Sequence, residues 1–269
     1  MNKLTNAEIA RIHGMYFIKD IDEPSLDINT VHMGDCLELM KNISNYSIDM
    51  ILCDLPYGTT QCKWDTIIPF DKLWEQYERI IKPNGAIVLT GTEPFSSFLR
   101  LSNLKLYKYD WVWDKIKGTG FLNAKKQPMR NHEIVSVFYK KQCIYNPQKT
   151  FGHIKKKTFR ASHLQTEVYG EMKNNYHYNS TERYPRSIQI FSTDTQNSSF
   201  HPTQKPISLF EYLIKTYTNE NDIVLDNCAG SGTTGLACKN TNRNYILIEK
   251  EEKYFNIIKK RLNPINNHD

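Results

Sequence analysis

No stretch of about 18 consecutive apolar residues occurs in the chain, so a membrane-spanning helix is not expected. The first residues lack an apolar core and carry charges throughout, which sets aside a secretory signal peptide. Instead Thr5-Asn6-Ala7-Glu8 reads as a capping box opening a short helix. Cysteine is sparse and scattered, at positions 36, 53, 62, 143, 228 and 238, without a C-x-x-C pair. Neither a disulfide framework nor a metal site follows from such spacing. Free thiols in a reducing cytoplasm are the simplest account. Internal repeats are absent. Acidic residues are short in one place: residues 140–187 hold ten Lys or Arg against three Glu, a local +7 in a chain of net charge +6. The remainder is therefore close to neutral.

What the chain does contain is ordinary globular material, 39% hydrophobic and 24% charged, in a length that suits one domain with an insertion. Residues 47–53 form a short apolar run that stops at Asp54, the pattern of a buried strand. Apolar positions 70, 73, 74, 77, 80 and 81 have helical spacing, and Lys82-Pro83-Asn84-Gly85 reads as the stop before a strand at 86–90. Further strands are expected at 109–113 and 133–139. The C-terminal part reads as helix 208–217, strand 222–225, helix 233–239, strand 245–248 and helix 251–261. Strands alternating with helices predict a parallel α/β sheet covered on both faces. Residues 142–200 show no such alternation and read as a loop-rich insertion. Their lysines and arginines are interleaved with Tyr145, Phe151, Phe159, Tyr169, Tyr176, Tyr178 and Tyr184, a combination suited to phosphates and stacked bases. A merely solvated lysine-rich insertion would look the same.

Two loops carry chemistry. Asp226-Asn227-Cys228-Ala229-Gly230-Ser231-Gly232-Thr233-Thr234-Gly235 follows a strand, opens a helix and has the spacing G-x-G-x-x-G. Such a loop brings backbone close to a nucleotide, and an acid some 20 residues on can grip ribose hydroxyls. Glu249 lies 19 residues after Gly230, at the end of the next strand. Leu236 occupies the place of a P-loop lysine, so a phosphate-binding P-loop is excluded. A nicotinamide dehydrogenase would share the glycines. However, only 34 residues follow Gly235, so most of the sheet must precede the loop, an unusual order for that class. The second loop, Asp54-Leu55-Pro56-Tyr57-Gly58, gathers a carboxylate, free carbonyls and an aromatic ring at a strand end. A conjugated amine is a poor nucleophile. Asp54 and the carbonyl of Leu55 or Pro56 can take both its protons and draw the nitrogen toward sp³ geometry, while Tyr57 stacks on a base lifted out of its helix. On its own the tetrapeptide also fits a plain turn.

These motifs, in this order, resemble the permuted β group of DNA amino-methyltransferases over residues 31–262. That family places an Asp-Pro-Pro-Tyr-type loop first, a target-recognition region next and the cofactor loop last. The resemblance implies a circularly permuted Rossmann-like methyltransferase sheet with an inserted target-recognition region. It divides the chain into an N-terminal extension (1–30), a catalytic half (31–141), the recognition region (142–200) and a cofactor-binding half (201–269). It implies S-adenosyl-L-methionine as cofactor and double-stranded DNA as substrate, methylated at adenine N6 after base flipping. Asp54, Leu55, Pro56 and Tyr57 become the catalytic set. The strand-end acid Asp35, with Cys36, meets the cofactor adenine, and Glu249 its ribose. His201-Pro202-Thr203-Gln204-Lys205-Pro206 resembles the motif holding the methionine end, which assigns Thr203 and Lys205. Asp54, Asp226, Cys228, Ala229, Gly230, Ser231 and Gly232 complete the cofactor site. Lys155, Lys156, Lys157, Arg160, Arg183 and Arg186 are the candidate DNA contacts. No metal is expected. A homodimer and a separate restriction endonuclease are the protein partners the resemblance allows.

Two departures stand out. Leu55 replaces the first proline of the loop, and Asn227-Cys228 stands where Pro-Phe is common, which implies altered cofactor affinity. Asp rather than Ser at the head of the loop points to adenine N6 over cytosine N4. Cytosine C5 chemistry needs a cysteine nucleophile, normally in a Pro-Cys pair, and the chain has none. A protein-glutamine or RNA methyltransferase would use a similar loop, usually in unpermuted order and without the basic insertion. A decayed, non-catalytic binding module is at odds with intact Asp54, Tyr57, Gly230, Gly232 and Glu249.

Overall fold

Continuous apolar runs need partners on both sides, and the computed structural model supplies them. It describes residues 26–60, 62, 65–160, 165–166, 170–171, 175–193 and 204–263. The capping box at 5–8 and Thr203 lie outside these residues. The strands are β1 (Thr30–Met33), β2 (Ile48–Cys53), β3 (Ile81–Gly91), β4 (Tyr107–Thr119), β5 (Arg130–Phe138), β6 (Lys156–Arg160), β7 (Gln165–Thr166), β8 (Gly170–Glu171), β9 (Tyr176–Ser180), β10 (Ile188–Ile190), β11 (Ile223–Asp226) and β12 (Asn244–Glu249). The α-helices are α1 (Cys36–Met40), α2 (Phe70–Ile80), α3 (Phe95–Ser102), α4 (Ile207–Tyr217), α5 (Thr233–Asn240) and α6 (Glu252–Leu262).

One eight-stranded sheet runs β1-β12-β11-β2-β3-β5-β4-β10. Its first five strands are parallel, β5 is antiparallel to both neighbours, and β10 lies parallel to β4 at the far edge. All six residues of β2 are buried, and their alternation divides the core. Met50 and Leu52 face Phe210 and Leu213 of α4, Ala237 of α5 and Ile258 of α6. Ile51 and Cys53 face Met40 of α1, Leu73 and Tyr77 of α2 and Leu99 of α3. The helices preceding residues 142–200 thus cover one face, and those following them cover the other. β11, from the C-terminal part, sits directly beside β2, which brings the two chemical loops to neighbouring strand ends.

Two expectations are corrected. The stop at Lys82-Pro83-Asn84-Gly85 is no loop: β3 starts at Ile81, paired with Ile48, and takes up the irregular backbone in a register shift before Met50 pairs with Ala86. Residues 142–200 are not uniformly loop-like either. β6 pairs antiparallel with β9 as a two-stranded ribbon, and β10 returns to the main sheet. Lys156, Lys157 and Phe159 on β6 are all exposed, so no face of the ribbon is apolar and no alternation marks it in the sequence.

Candidate active site

β2 delivers Asp54 to its C-terminal end, where both carboxylate oxygens are engaged. Oδ1 accepts hydrogen bonds from the Tyr57 hydroxyl (2.6 Å) and the Thr90 hydroxyl, and Oδ2 accepts one from Lys205 Nζ at 2.6 Å. Tyr57 also rests on Phe95, ring centroids 4.9 Å apart, so its ring is braced from behind. Lys205 is 6% exposed and lies 3.4 Å from Glu133, which in turn lies 3.2 Å from Lys115. Charges therefore alternate along Lys115, Glu133, Lys205 and Asp54. Burial works against the Lys205 charge, but the carboxylates of Asp54 and Glu133 outweigh it and hold the ammonium above the ordinary lysine range. The Tyr57 phenol is pushed well above its usual value by burial and the adjacent Asp54.

The loop after Tyr57 is clamped by a residue that sequence reasoning missed. Asp65 accepts backbone N–H bonds from Gly58 (2.8 Å), Thr59 (2.9 Å) and Thr60 (2.7 Å). Gly58 turns with φ +66°, and a Cβ there would lie 2.9 Å from Ile67. Thr90 and Glu133 were missed as well. Thr90 meets Asp54 from 36 positions away, and Glu133 reaches Lys205 from a different strand.

In the glycine loop, Asp226 is 3% exposed and accepts from the Thr234 hydroxyl and from Cys228 N–H at 3.1 Å. Burial raises its carboxyl to about 6 despite these bonds. Gly232 caps α5 with φ +79°, and a Cβ would press on Ile258 at 3.1 Å; its place is structural and not on the cavity wall. Asn227, in place of the family's proline, accepts 2.5 Å from the buried Tyr77 hydroxyl. The thiols of Cys36, Cys53 and Cys228 meet beside it. All six cysteines are free, as expected, yet three of them converge in space. Interaction with Cys228 and burial raise the Cys36 thiol, and burial pushes Cys53 up to about 12.

Both loops open into one cavity of about 610 Å³. The first contributes Asp54, Leu55, Pro56 and Tyr57; the second contributes Asp226, Cys228, Ala229, Gly230 and Ser231; Lys205, Asp35, Cys36 and Glu249 complete the walls. Asp35 also caps α1 through the N–H of Leu37 at 3.0 Å. No cluster of metal-ligating residues is found among the described residues.

The family model described as DNA methylase, of the N6/N4 methyltransferase type, matches residues 48–260. The chain belongs to the N6/N4 DNA methylases. Type II methyltransferase M.HinfI of Haemophilus influenzae is 31% identical, over 88% of this chain and 69% of its own. Type II methyltransferase M1.MboII of Moraxella bovis is 26% identical, over 86% and 95%. The solved M1.HpyAVI complex with S-adenosylmethionine is 28% identical with a TM-score of 0.60, covering 87% of this chain and 98% of that one. The cytosine-N4-specific PvuII DNA methyltransferase shares the fold at 16% identity and a TM-score of 0.63, over 92% and 90% of the two chains.

The methylase uses S-adenosylmethionine, and the residues present fit it. Glu249 is 7% exposed, yet its carboxylate is held by backbone N–H groups of Gly230 (2.7 Å) and Glu251 (2.8 Å). Oxygen lone pairs are left toward the cavity, which suits a pair of ribose hydroxyls. Lys205, expected at the methionine end of the cofactor, stands on the cavity wall with its ammonium bonded to Asp54 and over the Tyr57 ring at 5.5 Å. Among the expected DNA contacts of the methylase, Lys155, Lys156, Lys157 and Arg186 are exposed, and the side chain of Arg160 lies outside the described residues. Arg183 is half-buried, and its guanidinium binds the carbonyls of Glu182 (2.6 Å), Ser180 (3.1 Å) and Ile154 (2.5 Å), which ties it to the base of the ribbon. Among the described residues no helix is long and apolar enough to cross a membrane.

Proposed function

We propose that this methylase acts on adenine N6 within a specific double-stranded DNA sequence, with the target base rotated out of the duplex. The observation that carries the reading is the unequal use of Asp54. Oδ1 accepts two hydroxyls, whereas Oδ2 accepts only the Lys205 ammonium and keeps a lone pair. That oxygen, with the carbonyl of Leu55 or Pro56, accepts the two amino protons and turns the nitrogen lone pair outward. S-adenosylmethionine supplies an electrophilic methyl group on a sulfonium. The nitrogen sheds one proton on methylation, and Asp54 Oδ2 is its nearest acceptor. Tyr57, braced on Phe95, stacks on the base. An Asp heading the loop, where Ser goes with cytosine N4, supports the adenine assignment.

In this reading residues 142–200 recognise the target sequence between the catalytic half (31–141) and the cofactor half (201–269), and the enzyme works in the cytoplasm. A separate restriction endonuclease and a homodimer are the protein partners the resemblance allows. The test is methylome sequencing of DNA from a methylation-deficient host expressing the protein. N6-methyladenine confined to one short motif is expected. N4-methylcytosine would move the assignment to the other amine. Methyl label on protein or RNA alone would overturn the DNA reading.

A further inference from the structure

β4 and β5 continue past the sheet as a hairpin that leaves the mouth of the cavity. Lys115 and Thr119 on β4 line the cavity, and Thr119 pairs with Arg130 at the base of the turn. Phe121 follows Thr119 by two residues, within about 7 Å of extended chain. The turn is built rather than slack. Gly120 caps the 3-10 turn Phe121–Asn123 with φ +87°, Asn123 N–H bonds Gly120 O at 3.0 Å, and Lys126 N–H bonds Asn123 O at 2.8 Å. Its ordered tip nevertheless presents Phe121 at 77% and Leu122 at 97% exposure. Every residue from 116 to 132 is exposed. This stretch carries Lys117, Lys125, Lys126 and Arg130 and no Asp or Glu.

We propose that this tip is a wedge that enters the duplex beside the target base. The inference rests on the DNA reading above and extends it to residues outside the recognition segment. A flipped base leaves a gap whose neighbours have lost stacking, and an apolar side chain inserted there offsets the loss. Phe121 and Leu122 supply the apolar surface a short step from Asp54's cavity. The four flanking cations, unopposed by any acid, meet the phosphates on either side.

The test replaces both tip residues, Phe121→Ala with Leu122→Ala, and measures transfer of labelled methyl groups to unmethylated genomic DNA. The turnover rate at saturating DNA should fall at least about tenfold, a loss of about 1.4 kcal/mol per factor of ten. S-adenosylmethionine affinity and melting temperature should be unchanged. The pair Phe121→Trp with Leu122→Met should restore the rate, and emission of the new indole should be quenched on binding DNA. Lys125→Ala with Lys126→Ala should raise the DNA concentration needed for half-maximal rate by severalfold. A double alanine variant within twofold of wild type overturns the wedge, as does a rate lost in step with cofactor binding. If the unaltered protein transfers no methyl to DNA, the functional reading falls and the wedge with it.

Discussion

The carboxylate of Asp54 sits between two hydroxyls and one ammonium, so its geometry is fixed before any substrate arrives. Asp54→Ala should abolish methyl transfer, on the order of 3 kcal/mol or more and at least about a hundredfold in rate, because a charged transition-state acceptor is removed. S-adenosylmethionine binding should weaken far less than transfer does, and turnover near wild type would remove Asp54 from the mechanism. Glu249→Ala should instead weaken cofactor binding by about 1.5–3 kcal/mol, read by calorimetry, with DNA affinity retained. Asp226 predicts a pH effect. Burial raises its carboxyl from 3.8 to about 6, so the folded state holds a proton that the unfolded chain has already lost. Its contribution to stability is therefore full below about pH 4 and is lost as pH rises toward 6, on the order of 3 kcal/mol. Urea unfolding across that window should show a flatter profile in Asp226→Asn, and an unaltered slope would contradict the assignment. Asp54, Asp226 and Glu249 are legible in sequence because each ends a strand. Thr90, Glu133 and the Asp54-bound role of Lys205 are not, since they become neighbours only when distant strands pair.

At the scale of elements, the helices read at 70–81, 208–217, 233–239 and 251–261 and the strands read at 47–53, 222–225 and 245–248 agree with the structure within one or two residues. In contrast, β3 starts five residues before the strand read at 86–90, and α1 and α3, too short to show a clear period, are missing from the sequence pattern. Elements that bury nothing escaped it: the ribbon of β6 and β9 is basic on its exposed β6 strand, and the hairpin beyond Lys115 follows a register shift that breaks its period. The clamp on the catalytic loop escaped for another reason, since one carboxylate taking three consecutive N–H groups leaves no periodicity. Burial works to raise the Asp65 carboxyl, but these three bonds together with the Thr60 hydroxyl outweigh it and hold the carboxyl below the usual range. Its stabilisation is present above the unfolded value of about 4 and is lost as pH falls through the lower folded value. Asp65→Ala should release the N–H groups of Gly58, Thr59 and Thr60, costing about 1–3 kcal/mol locally because water replaces part of the bonding. Faster hydrogen exchange at these three amides, with reduced turnover and a melting temperature lowered by about 2–4 °C per kcal/mol lost, is the expected result. Unchanged exchange would show that Asp65 does not hold the loop.

At the scale of the whole molecule, charge is separated from the cofactor machinery. The sheet halves are nearly neutral overall, while residues 140–187 carry a surplus of +7. Arg183 secures the base of the ribbon, and the exposed side chains, first among them Lys155, Lys156 and Lys157 at the start of β6, are the proposed phosphate contacts. Strand alternation directs Lys156 and Lys157 to opposite faces of a ribbon with no apolar side to protect. Neutralising all three lysines should therefore weaken binding to every DNA sequence without disturbing the fold. Each phosphate that no longer has a cation against it takes about 0.9 from the slope of log affinity against log salt, so the change is at most roughly 2.7. S-adenosylmethionine affinity should be untouched, because the cavity draws its walls from other segments. Dissociation constants across a salt series decide the matter: a shallower line places these lysines on the backbone, whereas a parallel one leaves the phosphates to Arg186 and the hairpin cations Lys117, Lys125, Lys126 and Arg130.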